Sequence, residues 1–304
     1  MLNALISTTS IALTAMICAC GSTSGDKNQI TLNPTNSSDA NQPPSISENQ
    51  LSTASGQFLT TIRHNNLDVQ LAIDKPESTS ADVVMTFHGT VETDDKIVAA
   101  ATKTLEETKK LASKKNILYI SVAYPEENLL MGDNLAQAEA ALLWVKQKAP
   151  KELNIKTNRV FLVGHSQGGY LVTRLNTMHS TDGVIANAPG PLDFKLRCEL
   201  EENGAFDESS NCARMRAAFG NTKENPDAYT ERSLLTHLRG FKSRILFTQG
   251  MSDAKIQLRS WPILREKAAA CSGCASAQFE ELDGSHAALF TNPKGRNLVN
   301  TFFQ

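Results

Sequence analysis

Residues 160–170 read VFLVGHSQGGY, and this stretch contains the pattern G-x-S-x-G around Ser166. The four apolar residues before the pattern predict a buried strand, and the amphipathic residues 170–175 after it predict a helix. The chain must then reverse within a few residues, which strains the serine backbone and exposes its hydroxyl group. A serine that only caps a helix is the structural alternative. The flanking strand and helix favour a nucleophilic Ser166 at the carboxyl end of a strand.

Short apolar runs alternate with helical segments on both sides of this stretch. A hairpin is predicted for Phe58–Arg63 and Leu67–Ile73. The later predicted strands are Val83–Phe87, Asn116–Ala123, Val160–Val163, Gly183–Ala188, Arg244–Thr248 and Gln278–Leu282, and the predicted helices are Lys96–Lys114, Asp133–Lys148, Gly168–Met178, Ile256–Ala270 and Leu289–Phe302. This alternation predicts an α/β fold with a mostly parallel twisted sheet and helices on both faces. Residues 190–240 interrupt the rhythm and predict an inserted cap or lid.

The bulk composition is that of a globular domain without a strongly charged surface. The chain has 304 residues, of which 40% are hydrophobic and 20% charged, and these values exclude general disorder. The formal net charge is −2, with acidic and basic residues well mixed. Nothing in this balance indicates a nucleic-acid partner.

The N-terminus predicts export. Residues 2–19 carry no charged side chain and resemble a signal peptide spanning residues 1–19. Residues 17–22 resemble a bacterial lipobox, in which Cys20 is lipidated; Cys18 fits less well because the bulky Ile17 precedes it. An ordinary cleaved signal or an apolar N-terminal helix is the alternative. The expected product is a lipoprotein anchored to a membrane, on its periplasmic or cell-surface side. Residues 20–55 are rich in Ser, Thr, Asn, Gln and Pro and predict a disordered tether.

Four cysteines remain for the exported domain. These are Cys198, Cys212, Cys271 and Cys274, an even set that predicts disulfides in an oxidising compartment. The simplest pairing joins sequence neighbours, although four cysteines allow three connectivities. The C-x-x-C spacing at 271–274 also suits a redox motif or half of a zinc site, but no second pair has metal-ligand spacing. No metal site is predicted.

From about Phe58 to the C-terminus, the chain resembles the α/β-hydrolase fold family. The glycine-flanked serine and the compact layout are similar to the prolyl-oligopeptidase and dienelactone-hydrolase-like branch. The resemblance implies one domain over residues 56–304, with a nucleophile, an acid and a histidine in that chain order, each on a loop after a strand. His286 follows the last strand and is the expected general base; His179 and His237 are the weaker candidates. Asp253 follows the penultimate strand and is the expected acid.

Two other acids stay open beside Asp253. Asp193 follows the preceding strand, a position that some relatives use, and Asp283 is a turn former close to the histidine. The oxyanion is expected to accept hydrogen bonds from the backbone N–H of Gln167 and from that of Gly89 or Thr90, in a loop similar to the family's His-Gly loop.

These residues predict a serine hydrolase that cleaves carboxylic esters through an acyl-enzyme, with no metal or organic cofactor required. An exported serine peptidase of the same branch is the alternative. A lipoprotein that keeps the fold only for surface binding is a third hypothesis. The expected partners are a small ester or short peptide substrate and, through the lipid anchor, a membrane.

Overall fold

The computed structural model describes residues 42–91, 93–124 and 133–304. The predicted signal peptide, the lipidation site at Cys20 and most of the predicted tether lie outside the described residues. Within the described residues, no helix combines the length and the apolar character needed to cross a membrane.

Eight strands of the described chain form one sheet. They are β1 Gly56–His64, β2 Leu67–Lys75, β3 Ser80–Phe87, β4 Ile117–Ala123, β5 Lys156–His165, β6 Gly183–Asn187, β7 Ile245–Gly250 and β8 Ala277–Leu282. Their spatial order is β1-β2-β4-β3-β5-β6-β7-β8. The hairpin β1–β2 is antiparallel and also pairs antiparallel with β4, whereas all other neighbours are parallel. The predicted α/β class with a mostly parallel sheet is confirmed.

Helices cover both faces of the sheet. They are α1 Ile97–Leu111, α2 Asp133–Gln147, α3 Ala149–Glu152, α4 Gln167–Met178, α5 Phe194–Glu202, α6 Ser210–Phe219, α7 Pro226–Thr230, α8 Lys255–Ala269, α9 Ala288–Thr291 and α10 Pro293–Phe302. One core cluster joins the sheet to α2, α4 and α8. A second joins the opposite face to α1 and α10. The sheet is therefore buried on both faces, which explains why its central strands are continuous apolar runs.

The single helix predicted near Leu289–Phe302 is wrong, because the chain forms α9 and α10 there. Asn292 lies between them in extended conformation (φ −81°, ψ 135°), and its side chain accepts a hydrogen bond from the Lys294 amide. The proline at 293 disfavours the helical conformation for the residue before it but suits the first turn of a new helix.

The predicted insertion at 190–240 contains α5, α6 and α7. These helices have a small apolar core of their own, formed by Phe194, Cys198, Cys212, Met215, Ala228 and Tyr229. A disulfide between Cys198 and Cys212 joins α5 to α6. The insertion is thus a helical unit in its own right, which we call the cap.

Residues 42–55, the end of the predicted tether, pack against the domain instead of remaining disordered. Leu51 is completely buried, and the Ile46 amide donates to the Leu59 carbonyl in β1 at 2.8 Å. The Lys75 ammonium group donates to the carbonyl of Ser52 at 3.1 Å. The few apolar side chains in this polar segment are therefore sufficient to dock it, which its average composition did not indicate.

Candidate active site

Ser166 lies on the sharp turn between β5 and α4. Its backbone has φ 55° and ψ −115°, a positive φ that non-glycine residues rarely adopt. The Ser166 amide donates to the Asn187 carbonyl at 2.9 Å, and the Ser166 carbonyl accepts from the Gly190 amide at 3.1 Å. Strain of this kind persists only where the surrounding structure enforces it. The predicted strand-to-helix reversal is therefore present, and it leaves the serine side chain partly exposed.

Glycines make this turn possible because backbone atoms of neighbouring segments occupy the space that a side chain would need. A Cβ atom on Gly168 would lie 2.0 Å from the Phe87 carbonyl oxygen, and one on Gly164 would lie 2.1 Å from the Gly168 oxygen. Both obstacles are backbone atoms, which cannot rotate away. The first turn of α4 is consequently held against the end of β3.

Gly168→Ala should lower the free energy of unfolding by about 3 kcal/mol or more, the upper range for an overpacked site. Thermal or urea unfolding of the purified variant measures the change. Gly190→Ala is the matched control, since its new Cβ would meet nothing nearer than a Gln257 side-chain atom at 3.6 Å. Equal stability of the Gly168→Ala variant and the wild type would contradict the close packing described here.

His286 and Asp253 form a hydrogen-bonded pair on neighbouring loops. His286 follows β8 and Asp253 follows β7, and the imidazole Nδ1 lies 2.7 Å from Asp253 Oδ2. A carboxylate only accepts, so Nδ1 carries the proton and Nε2 is left as an acceptor. The His286 side chain is 42% exposed, whereas that of Asp253 is 5% exposed. The carboxylate is therefore buried behind an imidazole that is partly exposed to solvent.

Burial acts to raise the pKa of Asp253, but other contacts outweigh it. The hydrogen bond and the charge of His286, with donors from Gln249 Nε2 at 2.8 Å and the Ala254 amide at 2.7 Å, hold the pKa below its ordinary value. Gln249 is fully buried and was not predicted from the sequence. A glutamine near the end of the fully buried strand β7 was the available signal.

The other predicted candidates lie away from this pair. Asp193 caps α5 by accepting from the Leu196 amide at 3.0 Å, and Asp283 is exposed. His179 Nε2 lies 2.6 Å from Glu139 Oε1, and His237 Nε2 lies 2.7 Å from the Glu231 carbonyl. The side chains of Asp193, His179 and His237 thus have hydrogen-bond partners elsewhere, and none of the four candidates is hydrogen-bonded to His286.

Asn187, at the end of β6, connects the serine loop to the histidine loop. Its Oδ1 accepts from Thr248 Oγ1 at 2.9 Å, and its Nδ2 donates to the His286 carbonyl at 3.1 Å and to His165 Nδ1 at 2.8 Å. The His165 ring lies 4.9 Å from the His286 ring, and burial, with the charge of His286, lowers the pKa of His165 to about 3. Asn187 therefore holds a neutral imidazole beside His286. Asn187 was not predicted from the sequence, although a polar residue at the end of a buried strand was the available signal.

The loop after β3 approaches the serine from the other side. A Cβ atom on Gly89 would lie 3.2 Å from Ser166 Cβ, and Thr90 Oγ1 donates to Gln167 Oε1 at 3.3 Å. The amides of Gly89 and Thr90 make no hydrogen bond within the described chain. The Gln167 amide begins α4 and has no partner within that helix. The three residues predicted to supply oxyanion donors thus lie close to Ser166.

The buried side chain of His88 packs against this loop and holds it in place. It is 1% exposed, its ring stacks on Tyr124 with centroids 4.1 Å apart, and its Nδ1–H donates to the Gly89 carbonyl at 2.7 Å. Burial lowers the pKa of His88 to about 4. The buried ring is therefore neutral at physiological pH.

This burial predicts a loss of stability in mild acid. Between pH 6.5 and 4 the unfolded chain binds a proton at His88 that the folded chain does not bind, so the free energy of unfolding decreases as the pH falls. The contribution is at most about 1.4 kcal/mol per pH unit, or about 3 kcal/mol over the interval. Urea unfolding at several pH values measures it. In His88→Asn, the free energy of unfolding should fall less steeply with decreasing pH than in the wild type. An unchanged pH dependence would contradict the lowered pKa of His88.

Ser166 and His286 line one pocket of about 100 Å³ at the carboxyl edge of the sheet. Loops of the domain form one wall, and the cap forms the other. The lining residues are Thr90, Ser166, Gln167, Gly190, Pro191, Phe194, Arg197, Asn211, Gln257 and His286. A larger groove of about 620 Å³ lies near Arg239 and Lys267, but no histidine or carboxylate lines it among the described residues. The smaller pocket is the candidate active site.

The remaining predicted site residues are the cysteines. Cys198 pairs with Cys212 and Cys271 with Cys274, which is the simplest of the connectivities that the sequence allows. Within residues 42–91, 93–124 and 133–304, no cluster of three His, Cys, Asp or Glu side chains could hold a metal ion.

Comparisons with known proteins agree with this architecture. A sequence family described by its alpha/beta hydrolase fold matches residues 84–232. None of the curated proteins compared with the chain matches it. Among solved structures, a truncated carbohydrate esterase from gut microbiota is similar, with a TM-score of 0.62, 15% identity and coverage of 83% of this chain and 96% of that one.

Two further esterases have a similar structure. One is a thermostable esterase from Pseudomonas putida ECU1011, with a TM-score of 0.59, 16% identity and coverage of 82% of each chain. The other is a hyperthermophilic esterase from the archaeon Pyrobaculum calidifontis, with a TM-score of 0.55, 16% identity and coverage of 84% of this chain and 86% of that one. Sequence identities of 15% to 16% show a shared fold and do not show a shared substrate or mechanism. The chain has the α/β-hydrolase fold.

Proposed function

We propose that this protein is a serine hydrolase that cleaves carboxylic esters through an acyl-enzyme on Ser166. The observation that carries the proposal is the convergence of three loops at one sheet edge. A strained serine and a histidine line the same pocket, and a buried carboxylate accepts a hydrogen bond from the histidine. These are the parts that nucleophilic acyl transfer requires. The structural similarity to esterases supports carboxylic esters as the proposed substrates of this protein.

In the proposed reaction, His286 Nε2 takes the proton of the Ser166 hydroxyl as Oγ attacks the acyl carbon. The carbonyl oxygen becomes an oxyanion, which accepts hydrogen bonds from the Gln167 amide and from that of Gly89 or Thr90. The imidazolium then protonates the departing alkoxide as the ester C–O bond breaks. Water attacks the acyl-enzyme, gives its proton to His286 and releases the acid, and Ser166 regains its proton.

The small pocket favours short acyl groups. At about 100 Å³ it is well below the size of pockets that enclose drug-sized ligands, and most of its lining is polar. We therefore expect 4-nitrophenyl acetate to be cleaved with a kcat/KM at least about 10-fold higher than that of 4-nitrophenyl laurate. Comparable values for the two esters would contradict this size limit.

Covalent labelling tests the proposed nucleophile. A fluorophosphonate probe should modify the wild-type chain at Ser166, and peptide mass spectrometry of the labelled protein should identify that residue. Absence of labelling in a folded protein that also fails to cleave esters would overturn the proposed function and favour the surface-binding alternative. Faster cleavage of aminoacyl-nitroanilides than of short esters would favour the peptidase alternative.

We also propose that the chain is exported and held at a membrane through a lipid on Cys20. The lipobox-like residues 17–22 and the two disulfides, which suit an oxidising compartment, support this. In a bacterial host the wild-type protein should fractionate with membranes, and Cys20→Ala should release it. Soluble wild-type protein would overturn the anchor.

A further inference from the structure

Arg197 places a positive charge in the candidate active site. It lies on α5 of the cap and lines the pocket that contains Ser166 and His286. Among the described residues of that lining, it is the one side chain with a permanent charge, and no carboxylate lines the pocket. Arg197 therefore borders the space that the acyl or alcohol part of a substrate would occupy, and it also borders an adjoining pocket that Glu201 lines.

A buried carboxylate holds this arginine by one edge. Arg197 Nε donates to Glu201 Oε1 at 3.0 Å, and the Glu201 side chain is 3% exposed. The other oxygen, Oε2, accepts from the amide and the hydroxyl of Ser209, each at 2.9 Å. Glu201 is also the only carboxylate within ion-pair distance of Arg197 in the described chain. The ion pair thus fixes the guanidinium in the cap.

The terminal nitrogens of Arg197 remain available. Within the described residues, Nη1 and Nη2 make no hydrogen bond to the protein. A guanidinium presents parallel N–H groups that match the two oxygens of a carboxylate. Nη1 and Nη2 of Arg197 can therefore bind the two oxygens of a carboxylate that belongs to a ligand.

Two residues that line the pocket each have a buried polar atom without a hydrogen-bond partner. Gln167 Nε2 and Asn211 Oδ1 are both buried and have no hydrogen-bond partner, and both residues line the pocket. A buried polar atom without a partner is costly unless a ligand or water satisfies it. A plain hydrocarbon acyl chain would offer no acceptor to the terminal nitrogens of Arg197, so this arginine favours a polar substrate.

We propose that the preferred substrates are short esters that carry a carboxylate, and that Arg197 is the residue that selects them. This inference rests on the proposed ester hydrolysis and names its substrate class. The carboxylate would bind Nη1 and Nη2 while the ester carbonyl lies at Ser166. It can belong to the acyl part or to the alcohol part of the ester.

Two pairs of isosteric esters test the proposal. For the acyl side, monomethyl succinate is compared with methyl 4-oxopentanoate, in which a methyl ketone replaces the carboxylate. For the alcohol side, acetoxyacetate is compared with acetoxyacetone. Proton release in a pH-stat at pH 8 measures kcat/KM for all four. In at least one pair, the wild type should prefer the anionic ester by about 10- to 100-fold, the range of one charge-assisted contact.

The same ratio is then measured in variants of the cap. Arg197→Met should bring it close to one, and Arg197→Lys, which keeps the charge but not the fork, should give an intermediate value. The double variant Arg197→Met, Glu201→Met removes both partners of the ion pair, so that Glu201 is not left buried without its partner, and should behave as Arg197→Met. Because both esters of a pair meet the same preparation, the ratio does not depend on the folded fraction. Lys195→Met is the matched control, since Lys195 forms an ion pair with Glu199 on the same helix outside this pocket.

The outcomes separate this inference from the function on which it rests. Cleavage of the neutral esters without preference for either anionic ester would overturn the role of Arg197 and leave ester hydrolysis intact. A preference that persists in Arg197→Met would also overturn it. Failure of the folded wild type to cleave any of the four esters while it cleaves 4-nitrophenyl acetate would overturn the proposed substrate class only, and failure on all five esters would overturn both proposals.

Discussion

Ser166→Ala should reduce the kcat for short-ester hydrolysis by about 10⁴- to 10⁶-fold, to the level that binding and the oxyanion donors alone sustain. The hydroxyl of Ser166 is the proposed nucleophile. The other hydroxyl among the residues that line the pocket is that of Thr90, which donates to Gln167 Oε1. Initial rates with 4-nitrophenyl acetate at saturating concentration measure the change.

The variant should fold as the wild type does, because Ser166 Oγ makes no hydrogen bond within the described chain and the loss is a single oxygen atom. Circular dichroism and the thermal midpoint check this. Ser272→Ala is the control, since Ser272 is exposed and does not line the pocket of Ser166. Retention of more than about one per cent of activity in a folded Ser166→Ala protein would exclude the acyl-enzyme on this residue.

Asp253→Asn should lower kcat by about 10⁴-fold through the tautomer of His286. The Ala254 amide donates to Oδ1, and the Gln249 side chain donates to Oδ2. Because a backbone N–H cannot reverse whereas the Gln249 side-chain amide can, the oxygen of the new amide stays at Oδ1 and its NH₂ group replaces Oδ2. His286 Nδ1 would then face a donor instead of an acceptor. The imidazole must then carry its proton on Nε2, and a protonated Nε2 can no longer accept the proton of Ser166.

Asp283→Asn is the matched control for this prediction. Asp283 is the acid nearest to His286 in sequence, but it is exposed and does not bind the imidazole. Asp283→Asn should keep the wild-type kcat. A larger loss in Asp283→Asn than in Asp253→Asn would reverse the assignment of the acid.

Much of the fold could be predicted because its signals are local. The apolar runs of β3 to β7 mark strands that are buried on both faces, and the helices between them follow regular spacing. The errors have local causes as well. Pro293 divides the last helix in two, and a few apolar side chains such as Leu51 dock a segment whose average composition is that of a tether.

The candidate site was predictable as far as it follows from strand ends. Ser166, Asp253 and His286 each follow a predicted strand, and in a parallel sheet the carboxyl ends of the strands lie at one edge. The residues that were missed, Asn187 and Gln249, are buried within strands, and their partners come from other parts of the chain. Their roles depend on which loops meet, and periodicity carries no such information.

The amino-acid order alone therefore specified the class of the sheet, the turn that exposes Ser166 and the chain order of the three proposed catalytic groups. These features depend on propensities and spacings within short segments. Tertiary packing was needed to place the cap over the pocket, to bury Glu201 against Arg197 and to leave one edge of that guanidinium without a partner. An arginine in a polar insertion has no periodic signal, because what it contacts depends on how distant segments pack together.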